Sequence, residues 1–451
     1  MENKDEIKKE IDNNPNDIND IQLVDLAVSL SDYEDEELEK LCVDLNDESL
    51  AKVLEEAETK IQKKMIGFLD NSRVIEIFSF MSKDDIADVL GVLNIGRRKQ
   101  LINIMKAGDK AVIKELLGYK DDSAGGIMTT EYIALYQDLT VKEAIKKIKE
   151  IAPKTEYIQT IYVMNPSKKI MGTVDLRDII VAKESLKLEE IAEENFIYVE
   201  PELDQEEVAK IVSKYDLNAV PVLNSRKRML GIIMVDDIVD VLVEEQTEDI
   251  LKMGGVAKEE TLDSTLMESI RMRLPWLLIN LLTAFLAALT VKCFENTIAK
   301  VVALSATMSI VTGMGGNAGT QTVSIIIRNL AMGKVKFKEV GHLIFKEVIL
   351  GLINGAIIGL VTGIIVALIY HNMYLGIIIF LAMIGNLIIS GFFGLVIPIV
   401  LEKMKIDPAL SSSIFLTTAT DVLGFFLFLS LASIFLSKLV WSERWEVWGQ
   451  K

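Results

Sequence analysis

Histidine and cysteine are nearly missing from this 451-residue chain: His342, His371, Cys42 and Cys293 are all it has. Four such residues, scattered along the sequence, exclude a clustered thiol or imidazole site for zinc, copper, haem or iron–sulfur. The scarcity of cysteine also excludes a disulfide scaffold. No G-x-x-x-x-G-K-[ST] loop occurs; GVLNIGRR has neither the lysine nor the hydroxyl after it, which argues against an ATP-driven pump. The opening MENKDEIKKE is too charged for a secretory signal, so the N-terminus is expected in the cytoplasm. Acidic residues thin out in one part only. Before Arg271 there are 58 acidic and 34 basic residues, a net −24, and from Arg271 onward 8 and 14, a net +6. The length allows two to four domains, and the charge division marks two differently solvated parts.

What the second part has in place of acids is long apolar runs. Five follow Arg273: Leu274 to Val291, Val301 to Ile327, Val348 to Tyr370, Tyr374 to Leu401, and Pro408 to Ser437, the last with one charge. A membrane helix needs about 20 such residues. Arg271 and Arg273 precede the first run, Arg328, Lys334, Lys336, Lys338 and Lys346 lie between the second and third, and Lys403 and Lys405 between the fourth and fifth. The opposite loops carry only Lys292 and Lys300, so the basic loops predict a cytoplasmic N-terminus and an outside tail, WSERWEVWGQK. Gly351, Gly355, Gly359 and Gly363 form a smooth stripe on the third helix, read as a packing surface.

The single charge in the fifth run is Asp421, near its midpoint. A carboxylate there costs about 2.5–3.5 kcal/mol on insertion scales, so such acids usually face a bundle interior or a water path. Helical spacing puts Ser413, Thr417, Asp421 and Gly424 on one stripe, a polar groove toward the acid. In the second run, GMGGNAGTQT from Gly313 to Thr322 has three glycines in five residues, Gly315, Gly316 and Gly319, and the amides Asn317 and Gln321. This reads as weakened or broken helix, tolerated at membrane depth only where it is buried or lines a wet cavity. One carboxylate with carbonyls and hydroxyls suits a hard cation, and hydrated Mg2+ in particular. With no histidine or cysteine beside Asp421, an enzyme is not expected.

In the first part, residues 20 to 120 alternate apolar and acidic clusters at helical spacing, predicting stacked short helices. An internal repeat follows: EYIALYQDLTVKEAIKKIKE matches NFIYVEPELDQEEVAKIVSK, and TIYVMNPSKKIMGTVDLRDII matches AVPVLNSRKRMLGIIMVDDIV. Each copy predicts strand, amphipathic helix, two strands with a turn, and helix, and the pair resembles tandem CBS domains. In the helix after the second copy Asp237, Asp240, Glu244 and Glu248 recur at spacings of three and four, as do Glu245 and Asp249. Like charges so placed destabilise a helix by about 0.2–0.5 kcal/mol per pair, so a positive group is expected nearby.

In this order the features resemble the MgtE family of magnesium channels and transporters over nearly the whole chain, most specifically through GGNAGTQ, DPALSSSIFLTTATD and YKDDSAGGIMT. The resemblance implies a multidomain membrane protein: an all-α superhelical N domain (1–124), an α/β CBS pair (125–187 and 188–243), a connecting plug helix (244–270), a five-helix transmembrane domain (271–438) and an extracytoplasmic tail (439–451). It also implies a homodimer in the cell membrane, with a pore lined by the second and fifth helices. Asp421 takes the pore carboxylate's position, bordered by Asn317, Ser413 and Thr417; Ser413 departs from the family if asparagine is usual there. Regulatory Mg2+ is implied at Glu206, Asp216, Asp237, Asp240, Glu245, Glu248, Asp249 and Asp407, and in the N domain at Asp84, Asp85 and Asp88. Arg177 and Asp178 take the position where ATP binds in some members. The implied activity is Mg2+ uptake gated by cytoplasmic Mg2+. The alternatives are an ion-coupled secondary transporter of divalent cations (Mg2+, Co2+) and a CBS nucleotide-regulated cation channel.

Overall fold

The computed structural model describes residues 20–155, 157–257, 260, 264–335 and 339–439. Of the sequence expectations, Lys336, Lys338, the charged opening and the tryptophan-rich tail lie outside them. The chain divides into two compact units between residues 242 and 243.

The first unit opens with α1 (Asp20–Ser29) and continues through α2 (Asp35–Asp44), α3 (Asp47–Glu56), α4 (Thr59–Phe68), α5 (Asn71–Ile77), α6 (Lys83–Val92), α7 (Ile95–Ile104) and α8 (Ala107–Leu116). From α2 onward each helix begins twelve residues after the last. The caps repeat with it: Asn46, Asp70 and Asn94 side chains accept the N–H of Ser49, Arg73 and Arg97 at 2.8–2.9 Å. So does the core, since Leu41, Val53, Met65, Ile77, Val89, Leu101 and Ile113 are all buried. Arg73 donates to the carbonyls of Cys42 and Leu45, and Arg97 to those of Ile66 and Leu69, the same offsets two repeats along. Each guanidinium thus satisfies orphan carbonyls at an earlier helix's C-terminus. The result is a superhelix of helical turns, as expected.

Two α/β repeats complete this unit. In the first, β1 (Ala134–Tyr136) runs parallel to β2 (Thr160–Met164), which pairs antiparallel with β3 (Ile170–Asp175); α9 (Val141–Ile151) connects the first two strands and α10 (Leu176–Val181) follows the third. After the short α11 (Leu188–Ile191), the second has α12 (Gln205–Tyr215) and the hairpin β4 (Ala219–Leu223) with β5 (Met229–Met234). Its expected first strand is reduced to one bridge, Val199 to Val222. Both hairpins turn the same way. Asn165 Oδ1 accepts from Ser167 and Lys169 N–H, Asn224 Oδ1 from Arg226 and Arg228 N–H, and Lys168 and Lys227 both have positive φ.

The helix leaving the second repeat, α13 (Val235–Met253), is continuous with it, earlier and shorter than the expected 244–270. Gly254 and Gly255 end it, Gly255 at φ +74°, with the Gly255 and Val256 N–H groups returning to the carbonyls of Lys252 and Leu251.

The second unit comprises the end of α13 and the helices α14 (Leu266–Lys292), α15 (Glu295–Lys300), α16 (Ala303–Ala331), α17 (Val340–Ile369), α18 (Met373–Lys403) and α19 (Pro408–Ile434). Four stretches among the described residues are long and apolar enough to cross a membrane: α14, α17, α18 and residues 412–434 of α19. The glycine stripe of α17 packs as expected. A Cβ at Gly351, Gly355, Gly359 or Gly363 would lie 2.5–2.9 Å from α18 backbone at Leu387, Ile384, Phe380 or Gly376, so the two backbones are in contact where lipid supplies no hydrophobic drive.

Candidate ion path and cation-sensing acids

The GMGGNAGTQT segment is not broken; it lies wholly within the 29-residue α16. Unbroken helix satisfies its backbone internally, and the glycines serve approach instead. A Cβ at Gly315 would overlap the Asn386 amide of α18, and one at Gly319 would come within 2.7 Å of Leu416 of α19. The opposite face of α16 is polar and exposed: Gly313, Asn317, Thr320 and Gln321.

On α19, Asp421 and Ser413 are half-buried and Thr417 is exposed, its hydroxyl donating to the Ser413 carbonyl at 2.9 Å. This stripe reaches the acid as expected but stops there, because Gly424 is buried against Asn386. Asn386 is fully buried in α18, donates through Nδ2 to the Val311 carbonyl of α16 at 2.7 Å, and leaves Oδ1 without a partner. Sequence reasoning passed over it, although an amide inside the apolar run LAMIGNLIISG is a visible signal. It also passed over Glu347 of α17, which accepts from the Thr322 hydroxyl of α16 at 3.1 Å.

Near the start of α19, Asp407 caps the helix by accepting the Ala409 N–H at 2.8 Å. Lys252 of α13 donates to Asp407 and is also ion-paired with Glu248 one turn earlier. Burial lowers the Lys252 pKa, but these two carboxylates outweigh it and raise the pKa above the usual lysine range. Lys252 is thus a positive group beside the acid ladder, holding two of the expected regulatory acids. The i, i+4 spacing of Glu248 and Lys252 was legible; the long-range pairing was not. Glu245 and Asp249 are half-buried on the same helix.

Within the first unit Asp84, Asp85 and Asp88 of α6 share one negative environment with Asp237 at the start of α13 and Asp121 in the loop after α8. Burial and mutual repulsion push Asp84 up to about 6 and Asp88 to about 7. Burial outweighs the Met234 N–H bond and lifts Asp237 to about 7, with Asp236, Asp84 and Asp85 adding to the rise. Asp84 Oδ1 is buried with no hydrogen-bond partner. Asp121 is an addition to the expected set. Among the described residues no three carboxylate, thiol or imidazole groups converge closely enough to ligate one ion. Asp240 is exposed.

Glu206 and Asp216 are not brought together. They sit at opposite ends of α12, about 15 Å apart at 1.5 Å per residue; Glu206 pairs with Lys210 at 3.2 Å and Asp216 caps the C-terminus at φ 52°. A cleft of about 440 Å3 between the two α/β repeats is lined by Gln159, Asp175, Leu176, Arg177, Ile180, Val181 and Asn218. Arg177 is therefore at a cleft, with Asp178 beside it at 3.8 Å but not lining the space.

Comparison with known proteins matches this order of parts. The family model for the MgtE divalent cation transporter covers residues 308–431, that for the MgtE intracellular N domain 21–122, and CBS domain models 124–185 and 188–244. The magnesium transporter MgtE of Bacillus subtilis is 31% identical over 422 residues, 94% of each chain. That of Thermus thermophilus is 31% identical over 364 residues, 79% of this chain and 80% of the relative. Among solved structures, the cytosolic domain of the Mg2+ channel MgtE in complex with ATP is 31% identical, covering 50% of this chain and 91% of that one at a TM-score of 0.47. With its α-helical N domain, CBS pair and apolar helices, the chain belongs to the MgtE family of membrane transporters.

Proposed function

We propose that this protein conducts Mg2+ into the cell through a channel formed by two copies of the chain, and that cytoplasmic Mg2+ closes it. The observation that carries the reading is Asp421, a half-buried carboxylate within a 27-residue apolar helix, in line with Thr417 and Ser413. A charge at that depth is retained against a cost of about 2.5–3.5 kcal/mol, which favours an ion path over packing. Mg2+ gives up water reluctantly, so one carboxylate with the Asn317 amide and two hydroxyls can hold it hydrated. The relatives' identity as magnesium transporters supports the choice of ion.

Asn317, Gln321 and Thr417 are exposed on single-copy helices that would otherwise meet acyl chains. A homodimer turning these faces of α16 and α19 toward a shared axis covers them and forms the pore. All five long helices then cross, α16 included, and the basic loops put the N-terminus in the cytoplasm and the tail outside.

For gating, the acids Asp84, Asp85, Asp88 and Asp237, with Asp121, are the sensor core: crowded and mutually repelling, with Asp84, Asp88 and Asp237 pushed up to about 6, 7 and 7. Hydrated Mg2+ bridging them through water would relieve the repulsion without the tight chelation they lack. Asp240 in the first unit, and Glu245, Glu248, Asp249 and Asp407 in the second, are further cation-binding acids in this reading; Glu206 and Asp216 would serve separate ions. The cleft at Arg177 suits an adenine nucleotide, its phosphates meeting the guanidinium.

The test is Mg2+ uptake into proteoliposomes by wild type, Asp421→Asn and Asp421→Ala. Both variants should insert and lose at least about tenfold in uptake. Unchanged uptake would make Asp421 structural and move the search for the path to Asn317 and Gln321.

A further inference from the structure

Asn386 stands where three helices meet. Its side chain is fully buried in the apolar α18, its Nδ2 donates to the Val311 carbonyl of α16 at 2.7 Å, and its Oδ1 faces Gly424 of α19. Two glycines make the room. A Cβ at Gly315 would overlap the amide from the α16 side, and one at Gly424 would fall 2.7 Å from Oδ1 on the α19 side. These glycines flank the polar positions of both helices: Gly315 is two residues from Asn317 and Gly424 three from Asp421, about 3 and 4.5 Å along the axes. Oδ1 is buried without a hydrogen-bond partner, a penalty that a leucine of similar size in this apolar site would avoid. The amide is therefore kept for something other than filling space.

We propose that Asn386 is a positioning residue for the ion path: its amide braces α16 against α19 at the depth of Asn317 and Asp421, and so sets which divalent cation the path passes. The inference rests on the reading that these two helices border the path. Val311 is four residues before Gly315, so its carbonyl is also the helical acceptor for Gly315, and the brace bears on the turn that leads into GGNAG. Without the amide, α16 is free to shift relative to α19, and displacements of about 1 Å at a preorganised site are enough to change its performance by an order of magnitude or more.

Proteoliposome uptake of Mg2+ and of Co2+ by wild type, Asn386→Leu and Asp421→Asn tests this. Asn386→Leu keeps the volume and removes the hydrogen bond; it should insert normally and change the Mg2+ to Co2+ uptake ratio by about tenfold. A wild-type ratio in Asn386→Leu, with uptake lost in Asp421→Asn, would overturn the proposal and leave the ion path standing. Retained uptake in Asp421→Asn would overturn both. If Asn386→Leu fails to insert, Gly424→Ala decides: it should lose uptake, and adding Asn386→Ala should restore uptake with an altered ratio. No recovery in the double variant, or recovery with the wild-type ratio, would count against the brace.

Discussion

At the scale of single residues, the most unusual groups outside the membrane helices are Asp84, Asp88 and Asp237. In the folded chain they titrate near 6, 7 and 7, whereas an unfolded aspartate titrates near 4. Between about pH 4 and 7 these three carboxyls therefore hold more protons in the folded chain than in the unfolded one, and their contribution to stability falls as pH rises through that window. In chelator, the melting temperature of the full chain should be higher at pH 5.5 than at pH 7.5, and Mg2+ should recover most of the difference at pH 7.5. Asp88→Asn should be more stable than wild type at pH 7.5 in chelator, by about 1–2 kcal/mol for a group both buried and repelled, and should respond less to Mg2+. A melting temperature independent of pH, or a normal Mg2+ response in Asp88→Asn, would remove this cluster from the sensor. The three α6 aspartates were legible only through the family resemblance. Asp121 was not, because its proximity depends on how the loop after α8 returns past α6, and no local pattern encodes that.

At the scale of elements, helix existence was plain in the sequence and helix meaning less so. The stacked N-terminal helices followed from apolar spacing, yet their twelve-residue period, with caps at Asn46, Asp70 and Asn94 and buried Leu41, Val53 and Met65, is equally present in the letters. The glycine stripe of α17 was legible because its function is steric. At Gly355 a Cβ would sit 2.6 Å from the Ile384 Cα, so Gly355→Ile must separate α17 from α18. Its melting temperature should fall well below that of Gly341→Ala, where a Cβ meets nothing, by the equivalent of about 3 kcal/mol or more. GMGGNAGTQT misled for the same reason: glycines that permit a bend also permit contact, and the partners Asn386 and Leu416 lie 60 or more residues away. Lys252 links two elements, since its ammonium joins Glu248 of α13 to Asp407 at the start of α19. Lys252→Met would leave two carboxylates facing each other. In chelator it should lose about 1–2 kcal/mol, less than a fully buried pair because Asp407 is a third exposed, and Mg2+ should raise its melting temperature more than that of wild type. An equal Mg2+ response would show that Lys252 does not occupy a place the cation can take.

At the scale of the whole molecule, the proposed gating rests on the division of charge. A part with net −24 repels itself unless cations bind it, while a part with net +6 carries one acid, Asp421, in the last of its long apolar helices. The order of parts was readable because each has its own pattern: apolar clusters at helical spacing over residues 20 to 120, a repeat of about sixty-four residues between the two α/β copies, and runs of 18 or more apolar residues beyond Arg273. What one chain leaves uncovered, the polar faces of α16 and α19, is what a second copy is proposed to cover.

Mg2+ conduction controlled by Mg2+ itself is measured directly as current through the purified protein in a planar bilayer with Mg2+ as the only permeant cation. The current should reverse at the Mg2+ equilibrium potential and fall as Mg2+ on the cytoplasmic side is raised. Flux that requires the gradient of a second ion, or a current indifferent to cytoplasmic Mg2+, would contradict Mg2+-controlled conduction.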